Sequence, residues 1–124
     1  MKQNFLYHDL SREIIGCSFR VHTKLGSFLP EHCYESALMI ELEDSGIPAV
    51  RQVRYEVYFK DQHVGHFFSD IVVDGKVILE LKSADSITHN HESQLFTYLR
   101  ASGLKVGYVL NFGVKSFQFK RLIL

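Results

Sequence analysis

Asp70, Glu80 and Lys82 are ionisable residues set inside apolar runs: Asp70 directly precedes Ile71-Val72-Val73, and the other two lie within Val77-Ile78-Leu79-Glu80-Leu81-Lys82. An ionised group in such a run costs free energy unless it is paired, hydrated or bound to a metal. Both runs read as strands, and a period of two puts Glu80 and Lys82 on one face. Register decides whether Asp70 joins them. With Asp74, Gly75 and Lys76 as a three-residue loop, Val73 faces Val77, Ile71 faces Leu79, and Asp70 stands opposite Glu80, while Ile71, Val73, Leu79 and Leu81 share the core face. A two-residue Asp74-Gly75 turn instead separates the carboxylates onto opposite faces unless a bulge lies near Asp70. Two carboxylates one cross-strand spacing apart repel when both are ionised, and an oxygen-seeking Mg²⁺ or Mn²⁺ removes that penalty. The chemistry suited to such a site is phosphodiester hydrolysis, with the metal on the phosphate and on a water that Lys82 holds, or with Lys82 stabilising developing negative charge. Spacing alone also admits an ordinary cross-strand salt bridge, the simpler of the two readings.

The elements that must position these residues follow from periodicity. Leu10, Ile14, Val21 and Leu25, with Ile15 and Phe19, form the stripe of a helix over Asp9 to Leu25, capped by Asp9 or Ser11 and ended by Gly26. Pro30 opens a second helix to about Ser45, with the stripe Tyr34, Leu38 and Leu42, stopped by Gly46 and Pro48. From Val50 the period becomes two, burying Val53, Tyr55, Val57 and Phe59. Lys60-Asp61-Gln62 turns into a strand over about Val64 to Val73, followed by one over about Lys76 to Lys82. His89 to Ser102 is helical again. Leu104 to Leu110 reads as a buried strand, and Val114 to Leu124 as a last strand at an edge, alternating through Phe117, Phe119, Arg121 and Ile123. The order is ααβββαββ, a mixed α/β (α+β) domain.

A chain of 124 residues, 46% hydrophobic, with no repeat or linker, supports one domain over 1–124. Fourteen basic against fourteen acidic residues exclude a protein that coats nucleic acid by charge alone. The absence of a long apolar run and of a secretion signal at MKQNFLYHDLSREI leads us to expect a soluble, cytoplasmic protein with no membrane partner. Cys17 and Cys33 read as reduced packing residues. Seven histidines show no dependable zinc spacing. Glu31 in a helix's first turn suits the helix dipole. Gln94 and Tyr98, four apart, share a helix face, with a polar group beside a core tyrosine as the structural reading. Arg51, Arg54, Lys60, Lys115, Lys120 and Arg121 fit either a groove for phosphates or the solvent face of edge strands.

Asp70 followed by Glu80-Leu81-Lys82 resembles the D…(D/E)xK core of the PD-(D/E)XK nuclease superfamily, whose helix, three-stranded meander, helix and strand match the order above. Within it, the chain resembles the GxxExxY protein family along nearly its whole length. The matching stretches are Ile14-Ile15-Gly16, Val21-His22-x-x-Leu25-Gly26, Glu31-x-x-Tyr34-Glu35-x-Ala37-Leu38, Gly46-Ile47-Pro48, Asp70-x-Val72-Val73, Val77 to Lys82, His91-Glu92-x-Gln94-Leu95-x-x-Tyr98-Leu99 and Asn111-Phe112-Gly113. Phe28 stands where that pattern has a glycine three residues before the glutamate, and Phe68-Ser69-Asp70 where the superfamily name has Pro-Asp. The resemblance implies a restriction-endonuclease-like core with a mixed central sheet and flanking helices. It implies Mg²⁺ or Mn²⁺ held by Asp70, Glu80 and the Leu81 backbone carbonyl, with Glu31 as an additional acid. Lys82 is then the catalytic lysine, Gln94 arranges the site, and Tyr98 lies toward substrate. His91 touches a phosphate or orients Gln94, or else caps its helix. The implied partner is nucleic acid, DNA before RNA, with a homodimer or a protein partner in addition. The alternative from another class is the same fold kept as a binding module with little turnover.

Overall fold

The computed structural model describes residues 6–124. The elements are α1 (His8–Leu25), α2 (Glu31–Asp44), β1 (Ala49–Phe59), β2 (Gln62–Val73), β3 (Val77–Lys82), α3 (His89–Ser102), β4 (Val106–Asn111) and β5 (Gln118–Ile123). They build one five-stranded sheet in the order β1-β2-β3-β4-β5, antiparallel throughout except between β3 and β4. That parallel pair needs a crossover, which α3 supplies. Ile14, Cys17 and Val21 of α1 and Tyr34, Leu38 and Leu42 of α2 cover one sheet face, through Ile71, Val73, Leu79, Leu81 and Leu110. Leu95 and Leu99 of α3 cover the other, over Val72, Ile78 and Val109. With helices on both faces, β4 is buried along its entire length and β3 up to Lys82.

Of the two registers open to the sequence, β2 and β3 adopt that of the three-residue loop: Val73 pairs with Val77 and Ile71 with Leu79. Asp74 and Gly75 take left-handed conformations, the Lys76 N–H donates to the Val73 carbonyl, and Lys76 is the third residue of the loop. The β1–β2 turn is tighter than the sequence suggests. Lys60 and Asp61 both have positive φ, the conformation of a type I′ turn, so β2 begins at Gln62. Of the expected buried row on β1, Val53, Tyr55 and Val57 are only partly covered and Phe59 is 65% exposed, because the hairpin tip runs past the helices.

One feature of β1 has no sequence signal. Ala49 packs with Ile71 and Val73 on the α1/α2 side, whereas Val53 and Tyr55 pack on the α3 side. Odd-numbered residues thus change face between Arg51 and Val53, where Gln52 adopts φ 51° opposite Asp70. The break is held from α2: the Glu35 carboxylate accepts from Arg51 Nε (2.9 Å) and Nη2 (2.7 Å) through one oxygen and from Gln52 Nε2 (2.9 Å) through the other.

Three other expectations are corrected. Neither Asp9 nor Ser11 caps α1; Tyr7, in a left-handed conformation, precedes it, and the buried Ser11 hydroxyl has no hydrogen-bond partner among the described residues. Pro30 is the residue before α2 rather than its first. The last strand is shorter, and its core residue is Leu122, with Phe119 and Ile123 exposed, because the 112–117 segment folds over the α1 side through Phe112 and Phe117.

Phe28, in the connection between α1 and α2, has φ 72°, so this chain keeps a glycine-like conformation with an aromatic residue. Such a backbone costs of order 1–2 kcal/mol for a bulky side chain. The buried Tyr34 maintains it: its hydroxyl donates to the Gly26 carbonyl (2.6 Å) and accepts from the Leu29 N–H (3.1 Å), while its ring stacks on Phe112 at 4.6 Å. Tyr34→Phe keeps the ring and removes both bonds, so thermal denaturation should show a loss of about 1–2 kcal/mol.

Candidate active site

The β2–β3 ladder ends at Ile71 and Leu79, and beyond it side chains replace the backbone rungs. Glu80 Oε2 accepts from the Asp70 N–H (3.1 Å), and Asp70 Oδ2 accepts from the Leu81 N–H (2.8 Å). Each carboxylate is thereby fixed by the other residue's strand. Among the described residues no hydrogen bond reaches Asp70 Oδ1 or Glu80 Oε1. The Leu81 carbonyl shares this opening by strand geometry. The Lys82 carbonyl accepts from the Phe112 N–H on the β4 side, so the N–H and C=O of Leu81 point the other way, toward β2.

Burial dominates the electrostatics. Glu80 is 4% exposed, and its carboxyl is pushed up to about 8, first by burial and then by the charge of Asp70. Asp70 is raised by burial, against the Leu81 N–H, with Glu35 and Glu31 adding to the rise. The folded chain therefore holds a proton on Glu80 between its ordinary value of 4.5 and about 8, whereas the unfolded chain has lost it. Stability falls as pH rises through that window. Glu80→Gln, in chelator, should flatten the dependence and raise stability at pH 8 by about 2–4 kcal/mol, read from urea unfolding at pH 5 and pH 8.

Lys82 stands partly buried at the end of β3 and makes no ion pair with either carboxylate among the described residues, which removes the salt-bridge reading. Its Nζ donates to Gln94 Oε1 (3.3 Å) on α3 instead. Lys82 and Gln94 therefore meet across the strand–helix interface. Tyr98, one turn further on, stacks on Phe67 with ring centroids 4.2 Å apart, and burial together with the charges of Glu80 and Asp70 raises its phenol. His91 completes a capping box: Thr88 Oγ1 accepts from the His91 N–H (3.2 Å), and His91 Nδ1 accepts from the Thr88 N–H (3.0 Å). Of the roles open to His91, the structure shows the cap. Burial, then Lys82, lowers its imidazole.

Glu31 is exposed in the first turn of α2, and its charge acts on Asp70, Glu80 and His91. It does not gather with Asp70 and Glu80: among the described residues no three His, Cys, Asp or Glu side chains form a metal-binding group. Side-chain donors at the site are thus the two carboxylates. Two supporting residues carry no chemical signal in the sequence. Asn111 Oδ1 accepts from the Ala84 and Gly113 N–H groups (both 3.0 Å) while its Nδ2 donates to the Ala84 carbonyl (3.0 Å), which clamps the chain after Lys82. Ser83 Oγ donates to the Leu29 carbonyl (2.7 Å), tying that segment to the loop before Glu31. Of the basic residues, Arg51 and Arg54 are engaged by Glu35 and Glu56. No described helix is long and apolar enough to cross a membrane.

No functionally curated protein matches the chain. Among solved structures, the one described as "Crystal structure of SSO0001" superposes with a TM-score of 0.60 at 15% identity, over 74% of this chain and 48% of that one. This chain spans about half of its length, and the likeness is one of fold. The sequence pattern of PDDEXK_3, described as PD-(D/E)XK nuclease superfamily, matches residues 8–122. With that match over nearly all of the described residues, on a mixed sheet that brings Asp70, Glu80 and Lys82 to one strand end, the chain belongs to the PD-(D/E)XK nuclease superfamily.

Proposed function

We propose that the protein hydrolyses phosphodiester bonds of nucleic acid, DNA in the first place, as a GxxExxY-type nuclease that uses Mg²⁺ or Mn²⁺. The observation that carries this reading is a buried Glu80 and a half-buried Asp70, each fixed by the other residue's backbone, beside a lysine that makes no ion pair with either among the described residues. Such an all-oxygen donor set, Asp70, Glu80 and the Leu81 carbonyl, suits a hard divalent cation, and Glu31 adds negative charge nearby. A cation held by Asp70, Glu80 and the Leu81 carbonyl would offset their charge and would supply Lewis-acid activation of the phosphate and of water. Lys82 presents an ammonium to the attacking water or to the charge that develops on the phosphate. Gln94 Oε1 holds that ammonium in place, and Asn111 with Ser83 fixes the backbone that carries it. Tyr98 and His91 line the α3 side, where substrate contact adds to their packing and capping roles.

The test is cleavage of labelled single-stranded, duplex and branched DNA and RNA with Mg²⁺, Mn²⁺ or chelator, beside Asp70→Asn. Metal-dependent cutting by the wild type, lost in the folded variant, supports the reading. A folded protein that binds nucleic acid or metal but cuts nothing in any condition assigns the chain to the binding-module alternative.

A further inference from the structure

Phe28 is poorly explained by folding. Its side chain is 80% exposed, so it contributes little to the core, and its φ of 72° suits glycine better than any aromatic residue. It is nevertheless fixed in place. The Tyr34 hydroxyl holds the loop at Gly26 and Leu29, on either side of Phe28, and Ser83 holds Leu29 from the end of β3. The result is an apolar ring on a braced loop. Phe28, Leu29, Pro30, Glu31 and Ser83 line one open depression, in which Ser83 directly follows Lys82 and Glu31 is the acid whose charge reaches Asp70 and Glu80.

A nucleic-acid strand with a phosphate at the carboxylates has few apolar surfaces to offer beside it, and the largest are the faces of its bases. In a duplex those faces are stacked and closed; in a single or opened strand they are free. Stacking on an aromatic ring is available to every base and reads little sequence, which suits a neutral, 124-residue chain. We propose that Phe28 is a stacking platform for an unpaired base of the strand held at the Asp70–Glu80 site. This inference rests on the nuclease reading and adds a substrate class to it: single-stranded or locally opened nucleic acid.

The chain contains no tryptophan, so Phe28→Trp installs a unique fluorophore at the ring's position. The experiment titrates Phe28→Trp, in a Glu80→Gln background to suppress cutting, with a short labelled DNA single strand and with its blunt duplex. Tryptophan emission and the anisotropy of the labelled strand are read together, and Phe28→Gly is measured in parallel. Emission should be quenched as the single strand saturates and should stay constant with duplex. Phe28→Gly, which relieves the backbone and removes the ring, should bind the single strand about tenfold more weakly with its unfolding midpoint held or raised. Binding seen by anisotropy with unchanged emission overturns the inference and leaves the nuclease reading standing, as does a Phe28→Gly variant that binds as tightly as the wild type. A self-association lost in Phe28→Gly with strand binding unchanged gives the ring to a second copy of the chain and also overturns the inference. No binding of any nucleic acid by the wild type overturns both readings.

Discussion

Lys82→Ala should leave the fold and divalent-metal binding in place and lower metal-dependent cleavage by about 10²–10³-fold, the range for removing one preorganised charge donor from a site. The loss should fall on kcat rather than KM if, as proposed, the ammonium acts where charge develops and not on the resting phosphate alone. The fold should survive because Lys82 is only partly buried and, among the described residues, its one side-chain hydrogen bond is to exposed Gln94. Metal binding should survive because the proposed donors, Asp70, Glu80 and the Leu81 carbonyl, are untouched, and removing a nearby positive charge should tighten it. Gln94→Ala separates positioning from chemistry. With its partner gone, Lys82 keeps its charge but loses its anchor, and the defect should be smaller and be rescued by Gln94→Glu, whose oxygen still accepts. Single-turnover kinetics with Mn²⁺, beside calorimetric titration of each variant with the metal, measures both quantities.

Gly113→Ala should destabilise the chain by about 3 kcal/mol or more, the largest stability effect of any single methyl added to it. A Cβ at position 113 would lie 2.5 Å from the Ala84 carbonyl oxygen and the Ser83 carbonyl carbon, and closer still to the Ala84 nitrogen. All three are backbone atoms, and Asn111 holds the Ala84 N–H and carbonyl, so no flexible side-chain end can yield. The segment that must move follows Lys82 directly, so cleavage should fall along with stability. Gly65→Ala is the matched control: its Cβ meets nothing within 4 Å, and its unfolding midpoint in urea should shift little.

The carboxylate pair was legible in the sequence because both flanking strands have apolar residues that fix parity. With the three-residue loop, one of the arrangements the sequence leaves open, Ile71 and Val73 face the same side as Leu79 and Leu81 and Asp70 stands beside Glu80. The helices were legible for the same reason, since Tyr34, Leu38 and Leu42 form one buried stripe, and α3 has the bounds that the sequence suggests, ending at a left-handed Gly103. The reversal at Gln52 was not, because Arg51-Gln52-Val53 contains neither glycine nor proline; what imposes it is Glu35, seventeen residues earlier, reaching Gln52 from α2. Phe28 hid its left-handed backbone in the same way, as the restraint comes from the Tyr34 hydroxyl and Ser83. Glu31 shows the limit of motif spacing. Its type and place in the first turn of α2 were readable, yet its distance from the pair depends on how the loop before it is tied to Ser83.

Asp70 and Glu80 are expected to form a cation site. Isothermal titration of the chain with Mn²⁺, in two buffers of different ionisation enthalpy at pH 6.5 and pH 9, tests it most directly. One Mn²⁺ should bind per chain, with about one proton released at pH 6.5 and almost none at pH 9, because the carboxyl that must ionise has been pushed up to about 8. Asp70→Asn, folded, should lose the binding. Mn²⁺ that binds equally well to Asp70→Asn, or that fails to bind the wild type at either pH, would contradict it.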